Sequence, residues 1–309
     1  MSLKRTVRPL VILLALFLVG AYHAVENVLP YAGIKPVRHQ PEQLPWLLPK
    51  GIKAENYGLQ AHEFMIPVAD SIKLSAMVVK SNTDTTQATI VLLHGISGCK
   101  ETQFERAKVL ADAGYASVLL DLRAHGKSGG EYCTFGYYEK KDLQTVADTL
   151  KRLFPQQALG IWGASLGGAV ALQSMEIEPQ YQFGIIESTF DEFDKVAMEY
   201  GSKWFFGIRS QWLTDRVLSK SGQIAQFEPD AVKPVRSAAQ IDRPILFIHG
   251  DKDARIPMWF GERNYEASPA KGKQWFKVHG AGHNNLWKVA GDPMRKEVLG
   301  FLETRDQVH

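Results

Sequence analysis

Ser165 lies in Gly163-Ala164-Ser165-Leu166-Gly167, between an apolar run at 158–162 and a helix-like stretch at 168–177. A Gly-x-Ser-x-Gly turn from strand to helix admits only small residues around the serine. It lifts the hydroxyl clear of the backbone at a helix N-terminus, where the dipole favours negative charge. Alone, the pentapeptide reads equally well as a glycine-rich turn with a chance serine, so its meaning rests on partners. A serine hydroxyl is a poor nucleophile at neutral pH and needs an imidazole to take its proton. The imidazole needs a carboxylate to hold its tautomer and stabilise its cation. Of nine histidines, His283 in Gly280-Ala281-Gly282-His283 follows the last expected strand. Asp253, in His249-Gly250-Asp251-Lys252-Asp253, follows the strand before it. Asp251 is a rival acid, but directly after Gly250 it reads as a turn cap. Glu187, at the end of the sixth strand, is another. His94 reads as a hydrogen-bonded loop residue. His125, His249 and His279 fall in the wrong loops or the wrong order and read as structural.

The elements that must position these residues alternate along the chain. Segments 59–66 and 72–79 flank Pro67-Val68-Ala69-Asp70-Ser71 and read as a β-hairpin. Apolar runs at 88–93, 115–120, 158–162, 183–187, 244–249 and 274–278 read as six more strands. Stretches at 101–113, 138–154, 257–267 and 293–303 read as helices between them. The pattern implies an α/β fold: a mostly parallel eight-stranded sheet with helices on both faces. Between 189 and 243 no strand is expected. Segments 191–200 and 204–219 read as helices carrying Phe193, Trp204, Phe205, Phe206, Trp212 and Leu213. This helical insertion, about 190–240, sits at the loop edge of the sheet, where a lid or substrate wall belongs.

The chain has 309 residues and a net charge of +3, with no run of five like charges, which argues against a nucleic-acid partner. No Cys/His cluster has zinc spacing, and neither a P-loop nor a Gly-x-Gly-x-x-Gly after a strand occurs, so no cofactor or metal is expected. Lys4, Arg5 and Arg8 precede an apolar stretch at 10–24. Its length suits a signal peptide with Val19-Gly20-Ala21 as cleavage site, and extension to 7–25 makes an uncleaved membrane anchor. Either reading sends the rest of the chain to the non-cytoplasmic side, into the cell envelope. Residues 1–25 are therefore expected as anchor or signal. Residues 26–56, punctuated by Pro30, Pro36, Pro41, Pro45 and Pro49, are expected as a connector that lifts the domain off the membrane. Residues 57–309 make the globular domain. Cys99 and Cys133 each follow an expected strand, which puts both at one edge of a parallel sheet. In an oxidising compartment they form either a disulfide or two free thiols.

The order Ser165, Asp253, His283 is that of the α/β-hydrolase arrangement, and from about residue 57 onward the chain resembles that superfamily. Asp121-Leu122-Arg123-Ala124-His125-Gly126-Lys127-Ser128 is similar to the Asp-x-Arg-Gly-His-Gly-x-Ser of its serine aminopeptidase-like and monoacylglycerol-lipase-like branch, with Ala124 in place of a glycine. The resemblance implies Ser165 as nucleophile, His283 as base, Asp253 as its acid, and an oxyanion hole from the backbone N–H groups of Ile96 and Leu166. It implies a mainly structural role for the 121–128 segment. The implied activity is hydrolysis of a small-molecule ester, carboxylesterase- or lipase-like, through an acyl-enzyme. Cleavage of a short peptide, acyl transfer and non-catalytic binding are the alternatives on this scaffold. The aromatic residues of the insertion favour an apolar acyl or aryl group. Glu187, Asp191, Glu192 and Asp194 are the acids on which an amine-binding site would draw.

Overall fold

The strands β3 (Ala88–Leu93) and β4 (Ala116–Leu120) are buried at every position, because helices cover both faces of the sheet that contains them. That is the arrangement in a computed structural model describing the backbone of residues 3–204 and 207–305 and the side chains of residues 11–203 and 207–305. The side chains of Lys4, Arg5, Arg8, Trp204, Phe205 and Phe206 lie outside the described set. The other strands are β1 (Ala61–Pro67), β2 (Lys73–Val79), β5 (Ala158–Ala164), β6 (Tyr181–Glu187), β7 (Ile245–Gly250) and β8 (Gln274–Val278). Their order across the sheet is β1-β2-β4-β3-β5-β6-β7-β8. β1 and β2 form the expected hairpin, β2 pairs antiparallel with β4, and every later pairing is parallel. The parallel strands therefore share one C-terminal edge, where α/β sheets carry their sites.

The helices are α1 (Leu3–Asn27), α2 (Leu29–Ile34), α3 (Phe104–Asp112), α4 (Glu139–Leu153), α5 (Leu166–Ile177), α6 (Phe193–Trp204), α7 (Gln211–Ala225), α8 (Pro234–Ala238), α9 (Trp259–Ala267), α10 (Leu286–Ala290) and α11 (Asp292–Thr304). Alternation along β3 divides the core. Val91 and Leu93 pack with residues of α4, α5, α8 and α9, while Ile90 and Leu92 pack with residues of α3, α10 and α11. The insertion contains α6, α7 and α8 but breaks later than the composition implies. The chain turns at Gly207, whose φ is +87°, and α7 starts after Ser210, whose hydroxyl accepts from the Leu213 amide at 3.3 Å.

Residues 26–56 are not a spacer. Pro30, Ile34, Leu44, Leu48 and Ala54 are buried, and Ile34 joins the same core as Leu122, Phe135 and Leu172. The prolines exclude a long helix, yet Pro30 opens α2 and Pro41 opens a 3-10 turn, positions where the missing amide costs nothing. The Arg38 guanidinium donates to the carbonyls of Ser128 and, at 2.7 Å, Gly130. The Cys133 amide donates to Ile34 O at 2.8 Å, and Ser221 Oγ donates to Pro30 O at 2.8 Å. Ahead of this segment, α1 leaves Leu14, Phe17, Leu18 and Val19 more than half exposed. Residues 11–34 are the one stretch among the described residues long and apolar enough to cross a membrane, with a mean hydropathy of 1.8, and a signal sequence meets the same test.

Candidate active site

β5 and α5 meet at Ser165, whose φ of +55° and ψ of −118° lie outside the regions open to ordinary residues. This strained turn holds because its surroundings over-determine it. The Ser165 amide donates to Glu187 O at 2.8 Å, and Thr189 Oγ1 donates to Ser165 O at 2.7 Å. A side chain at Gly163 would collide with the Gly167 carbonyl, and a Cβ at Gly167 would stand 2.5 Å from Leu93 O. The small residues of the pentapeptide are thus demanded by backbone packed against backbone.

His283 Nε2 lies 3.0 Å from Ser165 Oγ, and His283 Nδ1 lies 2.7 Å from Asp253 Oδ2. Three loops, after β5, β7 and β8, bring these residues into one hydrogen-bonded row at the C-terminal edge of the sheet. The other Asp253 oxygen accepts from the amides of Arg255 and Ile256 at 2.8 and 2.9 Å. Burial opposes ionisation of Asp253, but hydrogen bonding from His249 and His283 and the Ile256 amide outweighs it and holds the carboxyl below its usual range. The carboxylate is therefore charged at neutral pH, as a partner for an imidazolium must be.

The rival residues are engaged elsewhere. Asp251 accepts from the Gly280 amide at 2.7 Å and lies 3.2 Å from His279, tying two loops together. Glu187 is buried and takes a two-pronged contact from Arg106, with N–H bonds from Trp162 and Trp287. His249 is buried, with Nε2 2.9 Å from Ile256 O and 3.6 Å from Asp253 Oδ2. The resemblance-derived oxyanion donors are adjacent to the serine: Leu166 opens α5, so its amide has no acceptor within the helix. Ile96 follows Gly95, where a Cβ would approach Ser165 Cβ to 3.4 Å.

The 121–128 segment is structural. Asp121 is fully buried and accepts from Lys100 and the Lys127 amide, and Arg123 makes two 2.7 Å bonds to Asp142. Ala124 has a φ of +62°, the left-handed conformation that explains why a glycine is usual there. His94, also buried, accepts the Leu122 amide on Nε2 at 3.2 Å and has Nδ1 2.7 Å from Gly95 O, a pattern that requires a neutral ring. Burial pushes its pKa down to about 4, and that of neighbouring His125 to about 3. An unfolded imidazole titrates near 6.5. Between that value and the folded ones only the unfolded chain gains protons, so stability is full above pH 6.5 and falls as the pH drops. By pH 4.5 the loss is roughly 2–3 kcal/mol per ring. Urea midpoints measured from pH 7 to 4.5 should fall accordingly, and His125→Asn should reduce the slope.

Cys99 and Cys133 are buried and unbridged in this structure. The shared sheet edge is not enough, because the chains leave it in different directions. Cys99 leads into the 3-10 turn and α3 on one face, whereas Cys133 is packed with Ile34 and Leu122 in the core of the other. Burial raises the pKa of both, so neither is a ready thiolate.

Ser165 opens onto a cavity of about 460 Å³. Its walls come from α6 (Phe193, Val196), α7 (Leu213, Val217) and, unforeseen from the sequence, α2 (Leu29, Gly33). Among the described lining residues none is Asp or Glu, and Lys35 is the one formal charge. His39 Nδ1, 2.8 Å from Ser97 O, ties the same N-terminal segment to the loop that carries Ile96. The signal for this packing was slight: Val28-Leu29-Pro30 marks a helix start, but nothing in it says what the helix rests on.

An eight-stranded sheet of this order, with serine, aspartate and histidine on the loops after β5, β7 and β8, defines an α/β hydrolase. The chain belongs to the α/β-hydrolase superfamily. The family described as serine aminopeptidase S33 matches residues 84–208. The uncharacterized protein YqkD of Bacillus subtilis is 30% identical over 247 residues, covering 78% of each chain. The lysophosphatidylserine lipase ABHD12 of Xenopus tropicalis is 28% identical over 72% of this chain and 59% of its own length. Among solved structures, the Pyrococcus furiosus esterase Pf2001 is similar in fold, with a TM-score of 0.67 at 24% identity over 88% of this chain and 98% of that one.

Proposed function

We propose that the protein is a membrane-tethered serine hydrolase that cleaves esters of apolar acids through an acyl-enzyme on Ser165. The carrying observation is the Ser165–His283–Asp253 row, 3.0 and 2.7 Å long, at the mouth of a mostly apolar cavity with no acid among its described lining residues. In this reading His283 Nε2 takes the Ser165 proton as Oγ attacks the carbonyl carbon. The charged Asp253 stabilises the imidazolium. The oxyanion rests on the amides of Ile96 and Leu166, an interaction worth several kcal/mol at comparable sites. His283 then hands its proton to the leaving alcohol, and water, activated by the same ring, frees the acid. Amide cleavage is the second reading, favoured by the family match. Against it, no acid, Asp194 included, is among the described residues that line the cavity and could hold a free amino terminus there. Glu187 pairs with Arg106, Asp191 with Arg263, and Glu192 with Lys195 and Lys233. The relative named a lysophosphatidylserine lipase also supports ester cleavage. The tether is α1, with Lys4, Arg5 and Arg8 on the cytoplasmic side and the domain outside.

The test is a panel of esters of increasing acyl length beside aminoacyl amides. Medium to long acyl esters should give the highest kcat/KM, and Val217→Trp, which fills the cavity, should move the optimum to shorter chains by about tenfold in kcat/KM ratio, as one or two lost methylene contacts allow. Preference for aminoacyl amides would overturn the ester reading.

A further inference from the structure

The end of α1 and the start of α2 contact α7 in matching order, Glu26 with Arg216 and Pro30 with Ser221. Glu26 at the end of α1 receives two bonds from Arg216, at 2.6 and 2.8 Å, and Lys220 stands 3.5 Å away. Five residues on, Ser221 of α7 reaches the Pro30 carbonyl. One turn back from Arg216 is Trp212 and one turn back from Glu26 is Tyr22, each about 6 Å along its own helix from the ion pair. There and further back α1 exposes Tyr22, Val19 and Leu18 to its surroundings. The α6–α7 corner does the same: Ile208 is 67% and Trp212 is 74% exposed, although both are large and apolar. Arg209, 60% exposed at its side chain and paired with Glu199 at 2.8 Å, stands beside them. The catalytic cavity takes Ile208 and Leu213 from this corner and Leu29 and Gly33 from α2.

We infer that the corner at 208–213 is a membrane-contact surface and that the substrate, an amphiphile with a long acyl chain, passes from the bilayer into the cavity between α2 and α7. The inference rests on the anchoring of α1 proposed above. If α1 crosses the bilayer, the first turn of α7 is carried to the interface by the Glu26–Arg216 bonds. That is where tryptophan and tyrosine rings settle, with basic side chains beside lipid headgroups. The chain's own geometry thus supplies the occupant of an apolar patch that no other described element covers. An acyl chain following this route enters a cavity lined mostly by apolar side chains, with Lys35, Ser210 and Thr214 also in the lining.

The test uses full-length protein in nanodiscs of phosphatidylethanolamine and phosphatidylglycerol with spin-labelled acyl chains. Val19→Cys, Ile208→Cys, Trp212→Cys and Lys271→Cys, one per variant, carry a fluorophore; Cys99 and Cys133 are buried and stay unlabelled. Lys271, exposed ahead of β8, reports the opposite edge of the sheet. The expected result is strong quenching at 19, quenching at 208 and 212 at least about half as strong, as befits interfacial depth, and none at 271. Quenching at 19 with 208 and 212 as unquenched as 271 would overturn this proposal and leave the anchor standing. No quenching at 19 would remove the anchor and the proposal together. In the same nanodiscs Trp212→Lys should lower turnover of an embedded long-chain monoacylglycerol relative to a soluble short-chain ester by about fivefold or more. An unaltered ratio would overturn the route.

Discussion

Ser165→Ala will leave a folded protein whose ester hydrolysis is lower by about 10⁴-fold or more and which no longer reacts with a fluorophosphonate. The side chain lost is small and the turn is held by backbone: the Ser165 amide on Glu187 O and the Ser165 carbonyl under Thr189. Fold and activity should therefore separate cleanly. His283→Ala should cost about as much, and Asp253→Asn about 10⁴-fold in kcat, because the amide no longer fixes the imidazole tautomer. Combining the three should add little, since the residues act as one unit. The measurement is kcat with a chromogenic ester beside a circular dichroism melt of each variant. Wild-type turnover by Ser165→Ala would remove the acyl-enzyme mechanism altogether.

A chain that begins at residue 57 will fail to fold stably, whereas one that begins at residue 26 will fold. The first loses Ile34, which is fully buried, together with Leu44, Leu48 and Ala54. Removing a single buried isoleucine down to alanine costs about 2–5 kcal/mol, and the whole stability of a domain is about 5–15 kcal/mol. It also loses Arg38, whose guanidinium bridges carbonyls of the 126–130 loop, and leaves Ser221 without Pro30. The second chain keeps all of these and gives up only α1. Thermal melts should place Ile34→Ala about 5 °C or more below the unsubstituted 26–309 chain, given the transition entropy of a domain this size. Equal melting of the 57–309 and 26–309 chains would mean that the N-terminal segment rests on the domain without supporting it.

Most of the sheet was legible because each strand announces itself. β3 matches its expected span at both ends, as does β8, and the other strands differ by a few residues at their ends. Buried parallel strands are continuous apolar runs between turn residues, a pattern that survives without neighbours in view. The serine, aspartate and histidine were legible for a related reason: each sits directly after such a strand, so locating the strand locates the residue. The role of 26–56 was not legible. Prolines report what the backbone cannot do, and Ile34 is one apolar residue among polar and turn-forming ones; its burial depends on a core whose members, Leu122, Phe135 and Leu172 among them, lie far along the chain. The cysteine question failed similarly. Loop position gave a shared sheet edge, but the faces onto which the two chains turn are decided by α3 and by the core around Leu122. The break between α6 and α7 at Gly207 was blurred by aromatic residues on both sides of it.

The clasp between Glu26 and Arg216 joins residues 190 positions apart, and that between Pro30 and Ser221 spans 191. Contacts of such long range form late, because the intervening chain must close first. During synthesis the N-terminal helix emerges long before its partner helix exists. Residues 26–30 must therefore wait for α7 and close onto it once it has been made. The Pro30–Ser221 clasp cannot close until the chain has been made through residue 221, and the cavity lacks its α7 wall until then. The cavity beside Ser165 is thus completed by the two ends of one long chain closure, with α2 on one side and α7 on the other.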